Sequence, residues 1–398
     1  MAHFRAVAPP AAPGRIGVLL VNLGTPDSPS YFAVQRYLRQ FLGDRRVIET
    51  SRFIWLPILY GIILPLRPFR TVPKYRAIWT PDGSPLAVFS TRLAGKVAGV
   101  LCGRMGDEVR VALAMTYGNP GIGDAVRSLA EQNVRRLIVL PLYPQYCSST
   151  TGSVFDGVSK VLQRWRWLPE TRFVNDYHDD AGYIDALAAR VGAHWEETGG
   201  RSHLLLSYHG IPASYVARGD PYQAQAEATT RMLVSKLGLS QEDYSHCYQS
   251  RFGSVVWLQP YTEDTLRLLA ARGLRRLTIV SPSFAVDCLE TLEECAIEYR
   301  DKFLELGGEE LTLVPALNDG DRHAEALAAI IRRQLADWAG AVSLRPLCCS
   351  AGCRPASGCT SYLRTAGSGS RRRNWGRPSR PRRPTSTSWC RLAMKQRP

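Results

Sequence analysis

The sequence predicts an α/β fold with parallel sheets, arranged as two similar halves that face a cleft. Three observations carry this expectation: short continuous apolar runs, helical stretches that separate them, and an echo of the first half in the second. Residues 16–23, IGVLLVNL, are an unbroken apolar run that stops at Gly24 and Pro26. A buried parallel strand with a loop at its C-terminal end reads this way. Val109 to Met115 and Arg136 to Leu142 read as further strands, and His203 to Ser207 and Arg276 to Ser281 repeat the pattern later. Helical patterns at Ala125–Asn133, Ile184–Thr198, Gln223–Leu237 and Thr262–Arg272 lie between or after them, and such alternation favours parallel sheets. The echo is short. RRLIVLPLY at 135–143 resembles RRLTIVSPSF at 275–284, and NLGTP at 22–26 lies over YHGIP at 208–212, with Leu23 opposite His209. Short strands match by chance often, so duplication and coincidence both remain open. Under duplication, both turns line one cleft, because ligands of such sheets bind at the C-terminal strand ends.

Charge is unevenly placed along the 398 residues. The formal net charge is +15, yet residues 339–398 hold twelve Arg and one Lys with no Asp or Glu. The first 338 residues therefore carry 37 basic against 35 acidic side chains. The body is nearly neutral, and a nucleic-acid role would rest wholly on the tail, so no nucleic-acid partner is expected. Cysteine use divides similarly. Cys102, Cys147, Cys247, Cys288 and Cys295 are scattered without metal-finger spacing, as in a reducing cytoplasm. The first residues, MAHFRAVAPPAAPGR, lack a basic segment followed by an apolar core, so no secretory leader is expected. The greasiest run, Phe53 to Leu66, has fourteen residues and two prolines. A span needs about 20 apolar residues. The run therefore reads as a helix that is buried, or that lies at a membrane surface or pocket lip.

His209 ends a short apolar run just before Gly-Ile-Pro, which presents its imidazole at a fixed place. The bland alternative is a histidine that caps a loop. Across the proposed cleft, SPSFAVDCLETLEECAIEY at 281–299 places Glu290, Glu294 and Glu298 at i, i+4 and i+8, one face of an α-helix, with Glu293 to the side. A solvated acidic face is the ordinary explanation of such a ladder. Asp287, directly after a buried strand, puts the first turn at the cleft, where the ladder suits handling a cation or protons. PLYPQYCSSTTGS at 141–153 offers Tyr143, Tyr146, Ser148, Ser149, Thr150 and Thr151, and YQSRFGSVVWLQP at 248–260 offers Arg251, Phe252 and Trp257. Aromatic faces beside hydroxyls and an Arg suit a large flat conjugated ligand that carries carboxylates. No dinucleotide fingerprint, phosphate loop or paired-Cys zinc motif occurs in the body.

VNLGTPDSP, YLRQFLGDRRVIE, IWTPDGSPL, MTYGNPG, LPLYPQYCSSTTGS, SYHGIP, YQSRFG and DCLETLEE, in this order, resemble the ferrochelatases over about residues 14 to 330. The resemblance implies two doubly wound domains, each with a parallel four-stranded sheet. The division expected is 14–165 completed by 318–338, against 166–317. It also implies insertion of Fe²⁺ into protoporphyrin IX with no organic cofactor, and with His209 and Glu290 as iron ligands or acid/base partners. Glu294, Glu298 and Asp287 would form a proton or metal relay. Leu23, Tyr117, Tyr143, Tyr146, Ser148, Ser149, Thr150, Arg251 and Trp257 would contact the porphyrin. The segment 53–66 matches the family's pocket lip, which can touch membrane, so a cytoplasmic or peripheral location is expected.

Cys288 stands where some relatives have His, and Thr116 where many have Arg before the Tyr. The tail departs further. Residues 339–398 read as a frame-shifted extension or a solvated basic linker, and the spacing of Cys348, Cys349, Cys353 and Cys359 suits a [2Fe–2S] cluster poorly, so none is expected. The rival readings are a chelatase for another tetrapyrrole or metal, such as coproporphyrin III or cobalt, and a non-catalytic porphyrin carrier.

Overall fold

Two parallel sheets of identical strand order make up the fold of this computed structural model, which describes residues 14–253 and 255–338. The first sheet holds β1 (Arg15–Asn22), β2 (Val109–Met115), β3 (Val134–Pro141) and β4 (Glu170–Phe173), in the order β2-β1-β3-β4. The second holds β5 (His203–His209), β6 (Tyr244–Gln249), β7 (Arg276–Val280) and β8 (Glu310–Leu313), in the order β6-β5-β7-β8. All neighbouring pairs are parallel. The correspondence reaches the loops. Met115 N–H donates to Pro120 O at 2.7 Å after β2, and Tyr248 N–H donates to Pro260 O at 2.9 Å near the end of β6. Two halves with one strand order and matching loops support duplication over coincidence.

The apolar runs are continuous because both sheet faces are covered. Val18 and Leu20 point into a large core that also receives Leu204, Leu206 and Tyr208 of the second sheet. Leu19 and Val21 point the other way, onto Val126, Leu129, Val154 and Val158. In the second half Leu205, Cys247 and Ile279 fill the corresponding outer core with Leu266, Cys295 and Phe303.

The halves exchange their last helices. The helix Ala181–Glu197 follows β4 of the first sheet yet serves the second: Trp195 Nε1 donates to Thr278 on β7 at 3.1 Å, and His194 bonds Thr312 on β8 at 3.0 Å. The helix Asp321–Leu335 returns to the first half, where Arg172 on β4 pairs with Asp337 at 2.6 Å and Trp338 donates to Glu170 at 2.7 Å. The segment through Trp338 thus packs on the first half. The expected boundary at 165 is corrected. It cuts off β4, which pairs with β3 from Arg136↔Glu170 to Val139↔Phe173. Four residues with alternating charge carried no strand signal, so the crossing falls after Phe173. The tail 339–398, and the expectations placed on it, lie outside the described residues.

The greasy run is part of a longer helix, Arg52–Ile78, with a π-turn at Leu59–Ile63. Its inner face, with Trp55, Leu59, Leu64, Val72 and Tyr75, packs on Val34, Tyr37 and Leu38 of the helix Tyr31–Phe41. Its outer face is bare: Phe53 is 94% exposed, and Ile54, Tyr60, Ile62, Leu66 and Phe69 are exposed as well. By length and composition this helix and Pro85–Met105 could each cross a bilayer, but Leu93, Val97 and Leu101 of the second are wholly buried in the core.

Candidate active site

Every turn after a central strand delivers a side chain to the same end of its sheet. Gly24 follows β1 with φ of 104°, a left-handed conformation that suits glycine. A Cβ there would lie 1.7 Å from the carbonyl oxygen of Tyr117, so Gly24 lets the β1 and β2 turns meet. Tyr117 N–H donates to Leu23 O at 2.9 Å, and the Tyr117 hydroxyl donates to Asp44 at 2.8 Å. Burial and then the Asp44 charge push that phenol well up. Leu23, Tyr117, Trp55 and Tyr75 join one apolar cluster with Leu289, which precedes Glu290 in the second half.

His209 is the last residue of β5 and is half-buried. Its Nδ1 lies 2.6 Å from Gly210 O. A carbonyl only accepts, so Nδ1 carries the hydrogen in the neutral ring, and Nε2 is left with the lone pair. The rings of Trp257 and Phe284 flank the imidazole at 6.4 and 6.3 Å. Gly210 N–H in turn donates to Gln249 O at 2.8 Å, and a Cβ at 210 would meet that same oxygen at 2.8 Å.

Glu290 opens a ten-residue π-helix, Glu290–Tyr299. Sequence spacing implied a single α-helical face for Glu290, Glu294 and Glu298. With bonds from i to i+5, side chains four apart drift around the axis, and the ladder divides. Glu294 is consumed by structure: it accepts from Ser250 N at 2.9 Å, from Ser250 Oγ at 2.5 Å, from Tyr299 OH at 2.8 Å and from Gln249 Nε2 at 3.3 Å. Glu298 and Glu293 both hold Lys74 of the lip helix, Glu293 at 2.9 Å. Burial raises the Glu293 carboxyl against the pull of Lys74. Asp287 is buried and accepts from Asn318 Nδ2 at 2.7 Å, Thr291 Oγ1 at 2.9 Å and Ala316 N at 3.2 Å. It fastens the 316–318 loop to the helix start, and burial pushes its carboxyl up. These partners replace the open acidic ladder that i+4 spacing implied.

Among the described residues neither Glu290 nor Glu294 pairs with a cation, but the Glu294 carboxylate is taken up by Ser250, Tyr299 and Gln249. Glu290 faces a polar, desolvated wall. Burial first, with the Glu290 charge adding, pushes the phenols of Tyr37, Tyr75 and Tyr143 up, and does the same to the Cys288 thiol. The Tyr143 hydroxyl is buried with no hydrogen bond. Sequence reasoning found Tyr143 and missed Tyr37 and Tyr75. These two come from the lip helices, and nothing in their local pattern marks them as neighbours of Glu290.

Other candidates are placed differently. Ser148 N–H donates to Asp220 at 2.7 Å, while its hydroxyl accepts from Arg46 at 3.2 Å, and Arg46 grips Asp156 at 2.7 Å. Ser149 bonds Cys147 Sγ at 3.1 Å, and Thr150 donates to Cys147 O at 3.2 Å. Tyr146 N–H donates to Gln225 at 2.6 Å. The serines and Thr150, expected as porphyrin contacts, lie in the π-turn Ser148–Gly152. Trp257 donates to Phe252 O at 2.8 Å, and Arg251 lies 4.6 Å from the Tyr261 ring. Arg67 of the lip lies 4.6 Å over Phe252, and burial lowers its guanidinium.

Twin parallel sheets, with His209 at the end of β5 and Glu290 opening the helix that follows β7, define an α/β protein of the chelatase type. The family model for ferrochelatase matches residues 15–335. A ferrochelatase of Thioalkalivibrio sulfidiphilus is 50% identical over 327 residues, which is 82% of this chain and 89% of that protein. One of Polaromonas sp. is 49% identical over 330 residues, covering 83% and 90%. One of Vibrio parahaemolyticus is 47% identical over 319 residues, covering 80% and 98%. Among solved structures, SirB from Bacillus subtilis with Fe³⁺ is similar at 13% identity and a TM-score of 0.49, covering 83% of this chain and 100% of that one. The chain belongs to the ferrochelatase family, and is thereby a metal-inserting lyase of haem synthesis.

Proposed function

We propose that the cleft inserts Fe²⁺ into protoporphyrin IX, with His209 and Glu290 as the reacting side chains. Two observations carry this: His209 Nδ1 is taken by Gly210 O, which leaves Nε2 with the lone pair, and the Glu290 carboxylate meets no cation among the described residues. The free-base ring holds two inner N–H protons. Both must leave as the metal enters, and the nitrogen lone pairs of a flat ring point inward, away from an approaching ion. Binding therefore has to bend the ring, at a cost of about 1–5 kcal/mol that remote contacts offset. Trp257, Phe284 and Leu23 supply apolar contact for ring faces. His209 Nε2 takes one pyrrole proton, and imidazole is also a suitable ligand for Fe²⁺. Glu290 holds the ion or receives the second proton. No tight resident metal site is needed, since the iron leaves with the ring. Catalytic turnover distinguishes this from a carrier. With Fe²⁺ and protoporphyrin IX, loss of free-base fluorescence should continue past one equivalent, and faster than with coproporphyrin III or with Co²⁺. Stoichiometric loss alone would mean a carrier, and faster use of coproporphyrin III would move the substrate assignment.

We also propose that the protein works in the cytoplasm, docked peripherally by the outer face of Arg52–Ile78. Exposed Phe53, Ile54, Ile62, Leu66 and Phe69 would enter the headgroup boundary, and the exposed Arg70 and Arg76 on the same helix suit anionic lipid. Flotation with phosphatidylglycerol vesicles should recover the full chain, and the Phe53→Ser, Phe69→Ser double variant should bind at least about fivefold more weakly, since each buried CH₂ contributes about 0.8 kcal/mol. Equal recovery of both proteins would remove this helix as the docking face.

A further inference from the structure

One buried amide touches everything that orients the two reacting residues. Gln249 is the last residue of β6 and only 2% exposed. It stands in register with His209, and its main-chain oxygen accepts from Gly210 N at 2.8 Å. Gly210 is the residue whose carbonyl fixes the His209 ring. The side chain faces the other way. Its Nε2 donates to Glu290 O at 3.0 Å and to the Glu294 carboxylate at 3.3 Å. Both partners can only accept, so this end of the amide must be nitrogen. Its Oε1 accepts from Ser207 Oγ on β5 at 2.8 Å, Ser281 Oγ just after β7 at 3.3 Å and Cys295 Sγ at 3.3 Å. Gln249 therefore bonds the neighbouring strand β5, the turn after β7, and the π-helix at three points, residues 290, 294 and 295. The donation to Glu290 O matters most, because an extra donor at that first carbonyl helps hold the wide turn that aims Glu290.

We propose that Gln249 is a positioning residue for iron insertion: it fixes the Glu290 carboxylate relative to His209 through the π-helix. The inference rests on the role given to Glu290 above. It makes a distinctive demand, since a residue that acts through Glu290 has nothing left to position once that carboxylate is gone.

The test is a double-mutant cycle on the full chain, with kcat and porphyrin KM measured for wild type, Gln249→Leu, Glu290→Gln and the pair. Gln249→Asn runs in parallel. It keeps an amide for the neighbouring hydroxyls and retracts it by one methylene, so it guards against a Leu variant that does not fold. Each Gln249 variant should lower kcat by about tenfold, within the cost of about an ångström of misplacement, with KM for porphyrin changed less than about twofold. In the Glu290→Gln background the same substitutions should lower kcat by less than about twofold further. Undiminished losses in that background would overturn the proposal and leave Gln249 a packing residue. So would a Gln249→Asn protein with wild-type kcat, or an effect confined to KM. A Glu290→Gln protein with full kcat would instead sink the role of Glu290, and this inference with it. That single variant tells the two failures apart.

Discussion

Replacing His209 by Ala should lower kcat for iron insertion by about 10²–10⁴-fold, the range that a positioned acid or base contributes, while the protein stays folded. Folding does not depend on the imidazole. His209 closes β5 with backbone pairing that Ala would keep, and its ring is half-buried between Trp257 and Phe284 outside the sheet core. Among the described residues, the side-chain hydrogen bond lost is the one to Gly210 O, within the same turn. Gly210 itself stays anchored through Gln249. Chemistry, by contrast, loses its one free ring nitrogen. Thermal unfolding of the variant should fall within a few degrees of wild type, and porphyrin should still quench tryptophan fluorescence. More than a few per cent of wild-type kcat would show that neither the base nor the ligand role belongs to His209.

The central strands were legible because buried parallel strands are apolar on both faces, as most of IGVLLVNL and HLLLSYH is. β4 was not, because ETRF alternates charge at a sheet edge, where only one neighbour constrains it. The exchange of the helices 181–197 and 321–335 leaves no local trace either, since an amphipathic helix does not record which sheet it covers. In the site, His209 was legible as the residue that ends an apolar run before Gly-Ile-Pro, and the structure puts it at the end of β5. Motif spacing did not show the partners of Ser148, Ser149 and Thr150: Arg46 for the first, and Cys147 at the start of the π-turn for the other two. It misjudged the acidic ladder for a related reason: i+4 arithmetic assumes an α-helix, and the partners that hold the wider form, Gln249 and Lys74, lie 41 and 219 residues away from the residues they bind.

That split of the ladder sets the second large effect. Glu290→Gln should lower kcat by about 10²-fold or more, and Glu298→Gln by less than about twofold. The side chains differ by one methyl-sized change in neither case, since Gln is nearly isosteric with Glu. What differs is what each charge does. Glu298 is exposed and shares Lys74 with Glu293, so its loss leaves the ammonium one carboxylate at 2.9 Å and removes a surface pair worth about 0–1 kcal/mol. Glu290 has no such neighbour. Its charge lies among the Tyr37, Tyr75 and Tyr143 phenols and the Cys288 thiol, all held in their neutral forms by burial and by that same charge. An amide there can neither accept a pyrrole proton nor offset the charge of Fe²⁺, and none of the surrounding groups is ionised to take over. Ring contacts are untouched, so porphyrin affinity by fluorescence quenching should change less than about threefold in either variant, and the loss should fall on kcat alone, as for a group used mainly in the transition state. Equal losses at 290 and 298 would mean that the acidic helix acts as one diffuse field, and that the free carboxylate at its first residue has no special part in the reaction.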